Sequence, residues 1–515
     1  SALVACSALA AVGCAAPGSD VGGAPAALRP DSPGTTELPP RYDAGDVVEY
    51  VDSAGGGFRV HFTRTGTHAV PADDADADGI PDHVTLVADT HDAVRARYEA
   101  LGFLPAQSDA LVPDGMGGSE RFDVYLLDFG GSADGAFRRE ICAPTGGCAG
   151  YMVEENDFAG YGYPTRGYAV RLLASHEFFH AIQAAYDRAG TTQGAVLSEG
   201  TAVWASERFD PGLRDLEGFA AGYLERTDRP LGTDPLGPVP SFAYGAGIFF
   251  EHLSTRHGDD VVAALLEALG AAPAGSRWTE SLDALLAARF ADGFEPAFLD
   301  FAERLVFLGP RADDTRGLPR AAAFPGVTTS PITLPFADAS LRLFPASARY
   351  FEAVATPGPL VVRAREGDTA SGATVLAWAL TRGVPVAEAR GLGEASLDVP
   401  ATADTLLFVL ADGRAAGMSR VLSVCAAQGD AAACAPTPPD AGVPDAGALD
   451  AGPPADAGSI APPATPSDAG CSVAPAVPKP SRAGLLATLL ALACAARRGV
   501  RRRRPRRRTP RSPRG

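Results

Sequence analysis

Apolar positions along this chain recur in two ways, with the spacing of a helix face in the first two thirds and as short runs between turn residues in the last third. Residues 168–186 carry Val170, Leu173, Phe178, Phe179, Ile182 and Ala185 with no internal Gly or Pro, which predicts an apolar helix. A second helix is expected to open within 197–207, and another over 83–101. Strands are expected at 57–63 and 122–127, and further helices near 248–254, 260–269, 282–290 and 295–307. From about residue 334 the pattern changes to β-rich runs at 341–344, 350–354, 360–363 and 405–410, separated by Gly, Pro and Asp. The expected architecture is an α+β domain over 45–325, with a sheet, a central helix and a helical C-terminal half, followed by an all-β sandwich over 330–435.

The flanks read differently. Residues 1–16 are apolar and rich in small side chains, like the later part of a signal peptide; Cys6 and Cys14 each close a stretch resembling a lipoprotein cleavage box, and an ordinary signal-peptidase site is an equal alternative. Residues 17–44 are expected to be a linker. Residues 436–470 repeat Asp-Ala-Gly among prolines, too poor in apolar residues to fold, and are expected to be a disordered tether. In 471–515 a Cys precedes an apolar run over 483–496 and an arginine cluster, an arrangement in which the basic end would stop a short membrane segment.

The chain has 515 residues, 46% of them hydrophobic, enough for at least one large core. Its net charge of -18 is uneven: residues 471–515 hold 13 Lys and Arg and no acids, so the preceding residues carry -31. Such an acidic body argues against a nucleic-acid partner. Cys142 with Cys148, and Cys425 with Cys434, each bracket a short loop without metal-ligand spacing, so each pair is expected to close a local disulfide in an oxidising compartment.

Two stretches carry chemistry. His176-Glu177-Phe178-Phe179-His180 puts two imidazoles four residues apart on one helix face, with Glu177 beside them. After eighteen intervening residues stands Glu199, at a distance that lets the chain reverse and return to the same ion. Two His and one carboxylate leave zinc an open fourth position, the ligand set of a catalytic site rather than of a closed, Cys-rich structural one. Separately, Asp74-Ala75-Asp76-Ala77-Asp78-Gly79-Ile80-Pro81-Asp82 sets carboxylates at loop positions 1, 3, 5 and 9 with Gly at 6, as calcium requires; Thr85 stands where an EF-hand has its bidentate Glu. Asp74, Asp76, Asp78 and Asp82 are therefore the calcium candidates, in a structural role.

The interval between His180 and Glu199 resembles that of the gluzincin metallopeptidases. The run Ser175-His176-Glu177-Phe178-Phe179-His180-Ala181-Ile182-Gln183, with Ser198-Glu199-Gly200-Thr201-Ala202-Val203-Trp204, is similar to secreted metalloproteases of myxobacteria. The resemblance implies a zinc peptidase in which Glu177 is general base and acid. Phe242-Ala243-Tyr244-Gly245-Ala246-Gly247 resembles a Tyr-x-x-Gly helix start, which implies that Tyr244 donates to the oxyanion. Asp187 and Glu207 are possible partners for the ligand histidines. The aminopeptidase branch has a Gly-x-Met-Glu-Asn strand; here Gly150-Tyr151-Met152-Val153-Glu154-Glu155-Asn156 has two extra residues, with Asn156 the substrate-binding candidate. That departure favours an endopeptidase acting on protein or peptide substrates, with the segment laid along a sheet edge where substrate adds as a strand. An aminopeptidase is the nearer alternative; a calcium-stabilised surface adhesin with an inactive zinc fold is the more distant one. The C-terminal end resembles the myxobacterial sorting tail (MYXO-CTERM), which implies contact with the membrane before processing and then display at the cell surface or release.

Overall fold

The computed structural model describes residues 29–31, 41–144, 146–187, 194–234, 241–273, 275–429 and 434. The apolar and Arg-rich tail, the Asp-Ala-Gly tether and the N-terminal apolar segment lie outside the described residues. No described helix is long and apolar enough to cross a membrane.

The first part is built on one sheet of β1 (Glu49–Asp52), β2 (Phe58–Phe62), β3 (Phe122–Leu127), β4 (Gly135–Cys142) and β5 (Cys148–Glu155), in the order β1-β2-β3-β5-β4. β2, β3 and β5 are parallel, and β1 and β4 are antiparallel edges. Period-two alternation sends Phe58, Val60, Phe62, Val124, Leu126 and Met152 to the helical side. Tyr125, Leu127, Tyr151 and Val153 face the other side, where Tyr42 covers them. Helix α1 (Asp82–Ala100) crosses between β2 and β3, and α2 (Arg166–Tyr186) follows β5. Then come α3 (Ala195–Phe209), α4 (Asp215–Leu224), α5 (Ser241–Gly245), α6 (Gly247–His257), α7 (Asp260–Ala271), α8 (Trp278–Phe290) and α9 (Phe294–Arg304).

The sequence anticipates neither β4 nor α4. β4 reads Gly-Ala-Phe-Arg-Arg-Glu-Ile-Cys; a sheet edge tolerates charge that an inner strand does not, so its composition hides it. α4 contains Gly218 and Gly222, which depress helix propensity. The expected position of 150–156 is also corrected. It forms β5, which is paired on both sides, by β3 and β4, so the outer strand beside the central helix is β4.

The second part is a sandwich of β6 (Ser330–Pro331), β7 (Phe336–Leu343), β8 (Ser347–Val354), β9 (Gly358–Glu366), β10 (Thr369–Ala370), β11 (Thr374–Thr381), β12 (Val384–Leu392), β13 (Glu394–Val399), β14 (Thr405–Asp412) and β15 (Arg420–Gln428). One sheet runs β10-β9-β15-β7 with β13 on β9, and the other β12-β11-β14-β8-β6. β11 and β14 are apolar on both faces: Val375, Ala377, Phe408 and Leu410 fill the sandwich, while Leu376, Trp378, Leu407 and Val409 join the helical core. Tyr350 Oη donates to Ala302 O (2.7 Å) and Thr279 Oγ1 to Ala415 O (2.7 Å) across this junction. Cys142 is bonded to Cys148 across the β4/β5 pair, and Cys425 to Cys434. Disulfides of this kind persist in oxidising compartments.

Candidate active site

Helix α2 starts where the Thr165 hydroxyl accepts the Tyr168 N–H (3.1 Å), an N-cap hydrogen bond. It lies between the sheet, α1 and α3, so nearly its whole circumference is buried. Phe178 and Phe179 pack into aromatic clusters with Phe58, Phe122, Tyr98 and Phe103. The positions four apart, His176 and His180, are left side by side with ring centroids 5.0 Å apart. With Glu177 they form a buried group whose ligand atoms converge closely enough for one metal ion.

Glu199 reaches this group from the second turn of α3. Its Oε2 lies 3.1 Å from His176 Nε2 and 3.5 Å from His180 Nε2. Two ligands about 2.1 Å from a tetrahedral zinc are about 3.4 Å apart, so both spacings suit a shared ion. His180 Nε2 has no hydrogen-bond partner although it is buried. Its lone pair is set by the other nitrogen: Nδ1–H donates to Gln183 Oε1 (2.9 Å), while Gln183 Nε2 donates to Ser198 O (2.8 Å) and Thr201 Oγ1 (2.7 Å). The Gln183 amide is thus held with its oxygen toward the ring, which leaves Nε2 free to bind a cation. Burial opposes charge on both sides of the pair, yet Glu199 lifts His180 to about 9 and His180 brings Glu199 down to about 2. These donors fit zinc.

Glu177 is turned toward the edge strand. Its Oε2 accepts the Phe137 N–H of β4 (2.9 Å), and its buried Oε1 has no hydrogen-bond partner. Burial pushes the Glu177 carboxyl up to about 8, with Glu199 adding to the rise and His180 opposing it. Tyr244, in α5, stacks on His176 with ring centroids 5.7 Å apart and on Phe219 at 5.0 Å. Burial, then the charges of Glu199 and Glu177, hold its phenol well above the ordinary range, so it keeps its proton.

The other candidates fall elsewhere. Asp74, Asp76 and Asp78 converge at the surface, while Asp82 is outside that group and its Oδ1 accepts the Ala75 N–H (3.0 Å). Asn156 is buried at the end of β5 and its Nδ2 donates to Ala69 O (2.7 Å). Asp187 pairs with Arg139 at 3.1 Å and Glu207 with Arg320; the residues against the His180 Nδ1 are Gln183, three positions on along the same helix, and Ser198, whose Oγ lies 3.3 Å away. A further group, Asp43, Asp46 and His68, is no match for a metal, because the Asp128 N–H donates to His68 Nδ1 (3.0 Å) and so places the ring proton on Nε2.

A buried His-Glu-x-x-His group on a helix beside a mixed sheet is what a zinc-protease-like fold presents. No family model matches this chain, and no curated protein matches it. Among solved structures it matches PliG of Aeromonas hydrophila, a periplasmic inhibitor of g-type lysozyme, at 16% identity and a TM-score of 0.15, over 19% of this chain and 95% of that one.

Proposed function

We propose that this chain is a zinc-dependent endopeptidase with His176, His180 and Glu199 as the metal ligands and Glu177 as general base and acid. The observation that carries the reading is the convergence of Glu199 Oε2 on both imidazole Nε2 atoms at zinc-ligand spacings, beside a His180 nitrogen with no other partner. Zinc bound there would lower the pKa of a water and polarise a peptide carbonyl. Glu177, whose Oε2 accepts the Phe137 N–H and whose buried Oε1 has no hydrogen-bond partner, takes the water's proton and passes it to the leaving amine. The protonated Tyr244 phenol donates to the developing oxyanion. β4 ends the sheet beside Glu177, and its outer edge suits an extended substrate added as a strand. Strand addition needs no free terminus, which favours endopeptidase over aminopeptidase action.

We further propose calcium at Asp74, Asp76 and Asp78, where Gly79 at φ +87° turns the loop and α1 follows directly. Two disulfides fit an exported protein, anchored at the cell surface or released.

The test is hydrolysis of a denatured, alkylated protein by the full chain, with and without Glu177→Gln. Cleavage should fall by about 10²–10⁴ in the variant while zinc stays bound. Equal cleavage by both would contradict the assignment, and zinc binding without cleavage by the wild type would favour the adhesin reading.

A further inference from the structure

The side of the sheet away from α2 holds a buried charge cluster that the proposed chemistry does not use. Its centre is Arg29, from the short described stretch ahead of the first strand. The Arg29 side chain has 0% exposure, as do those of Asp109, Asp123 and Glu140 around it. Nε donates to Glu140 Oε1 (3.0 Å) and Nη2 to Glu140 Oε2 (2.7 Å), a two-pronged carboxylate contact. Nη1 donates to Met116 O (3.0 Å) and to Asp123 Oδ2, and lies 2.7 Å from Asp109 Oδ2 off the N–H direction. The guanidinium sits 5.4 Å from the Tyr151 ring centroid. His61 Nε2 meets the remaining Asp123 oxygen at 2.9 Å.

Glu140 has an unusual place in β4. The β4/β5 register pairs Arg139 with Gly150 and Ile141 with Ala149, so Glu140 is an extra residue, a β-bulge. A bulge re-aims a side chain and bends its strand; here the re-aimed side chain is the one that Arg29 grips. Three residues earlier on the same strand is Phe137, whose N–H holds Glu177. An edge strand has a neighbour on one side only, so it is the strand of the sheet most in need of such a tie.

We infer that Arg29 is a positioning residue for the active site: by gripping the bulge at Glu140 while anchored to β3 through Asp123, it fixes the outer strand β4 where Glu177 and the substrate meet it. The stretch ahead of the first strand is then part of the peptidase machinery. Its kinetic consequence rests on the peptidase reading; its structural consequence does not.

The test is backbone amide exchange followed by mass spectrometry on the metal-loaded full chain, for wild type, Arg29→Gln and the milder Glu140→Gln. Glu140→Gln leaves Arg29 with Asp109 and Asp123, so it keeps the variant set informative if Arg29→Gln does not fold. Amides of 135–142 should exchange about tenfold faster in Glu140→Gln, with those of α2 unchanged. KM for a denatured, alkylated protein should rise about tenfold, with kcat within about twofold, because a loosened edge weakens strand addition. Unchanged exchange in β4, or a loss of protection spread evenly over the domain, would overturn the inference. If the wild type cleaves nothing, the peptidase reading fails, and the exchange pattern alone decides whether Arg29 clasps β4.

Discussion

Gln183 determines which nitrogen of His180 can meet a metal, because its amide is held by Ser198 O and Thr201 Oγ1 with the oxygen facing the ring. Gln183→Leu should therefore lower zinc affinity by about 10–100-fold without unfolding the protein, read by competition with a chromogenic chelator; unchanged affinity would show that the ring orientation is set elsewhere. His176, Glu177 and His180 are legible in the sequence because their relation is local, the two histidines standing four positions apart on one helix. The partners of these side chains are not. Phe137 N–H reaches Glu177 from 40 residues away, a backbone group that no residue type announces. Asp187 and Glu207, the carboxylates the sequence offers as histidine partners, face Arg139 and Arg320, since long-range charge pairing is set by tertiary placement.

At the scale of elements, Glu199 is delivered by the close approach of α3 to α5 and α6. A Cβ on Gly200 would lie 2.9 Å from Phe250 Cε2 and 3.3 Å from Ala243 O, and one on Gly247 would lie 3.1 Å from Gly200 O. Two glycines thus let the helix carrying Glu199 pass next to the one carrying Tyr244. Gly200→Ala should cost about 1–3 kcal/mol of stability, measured by chemical denaturation, and weaken zinc binding by displacing its neighbour Glu199. A variant with full stability and affinity would mean that α3 tolerates the shift. α2, α3 and the inner strands were readable because their apolar periods are long and unbroken. β4 escaped for a physical reason: Arg138, Arg139 and Glu140 suit an edge, and a bulge breaks the alternation that would mark a strand.

Across the whole molecule, the sandwich is a structural partner of the helical half. Trp378 is buried on the outer face of β11 and meets Phe307 edge-on, with centroids 6.1 Å apart. Trp378→Ala should lower stability by about 3–5 kcal/mol and shift the unfolding of the helical half together with that of the sandwich, since both share one core. Two separate calorimetric transitions, with only one of them moved, would contradict this. The sequence marks the β-rich region, whose runs are short and punctuated, yet it does not show that β11 and β14 bury both faces; a continuous apolar run fits several kinds of burial. The proposed zinc site draws three side chains from two helices. The most direct test of that claim is the zinc content of the purified full chain after dialysis, measured by plasma mass spectrometry for wild type and for His180→Ala with Glu199→Ala. The wild type should hold one zinc per chain and the folded double variant, which keeps one ligand, below about a tenth of that. A folded wild type without zinc, or undiminished zinc in the double variant, would contradict it.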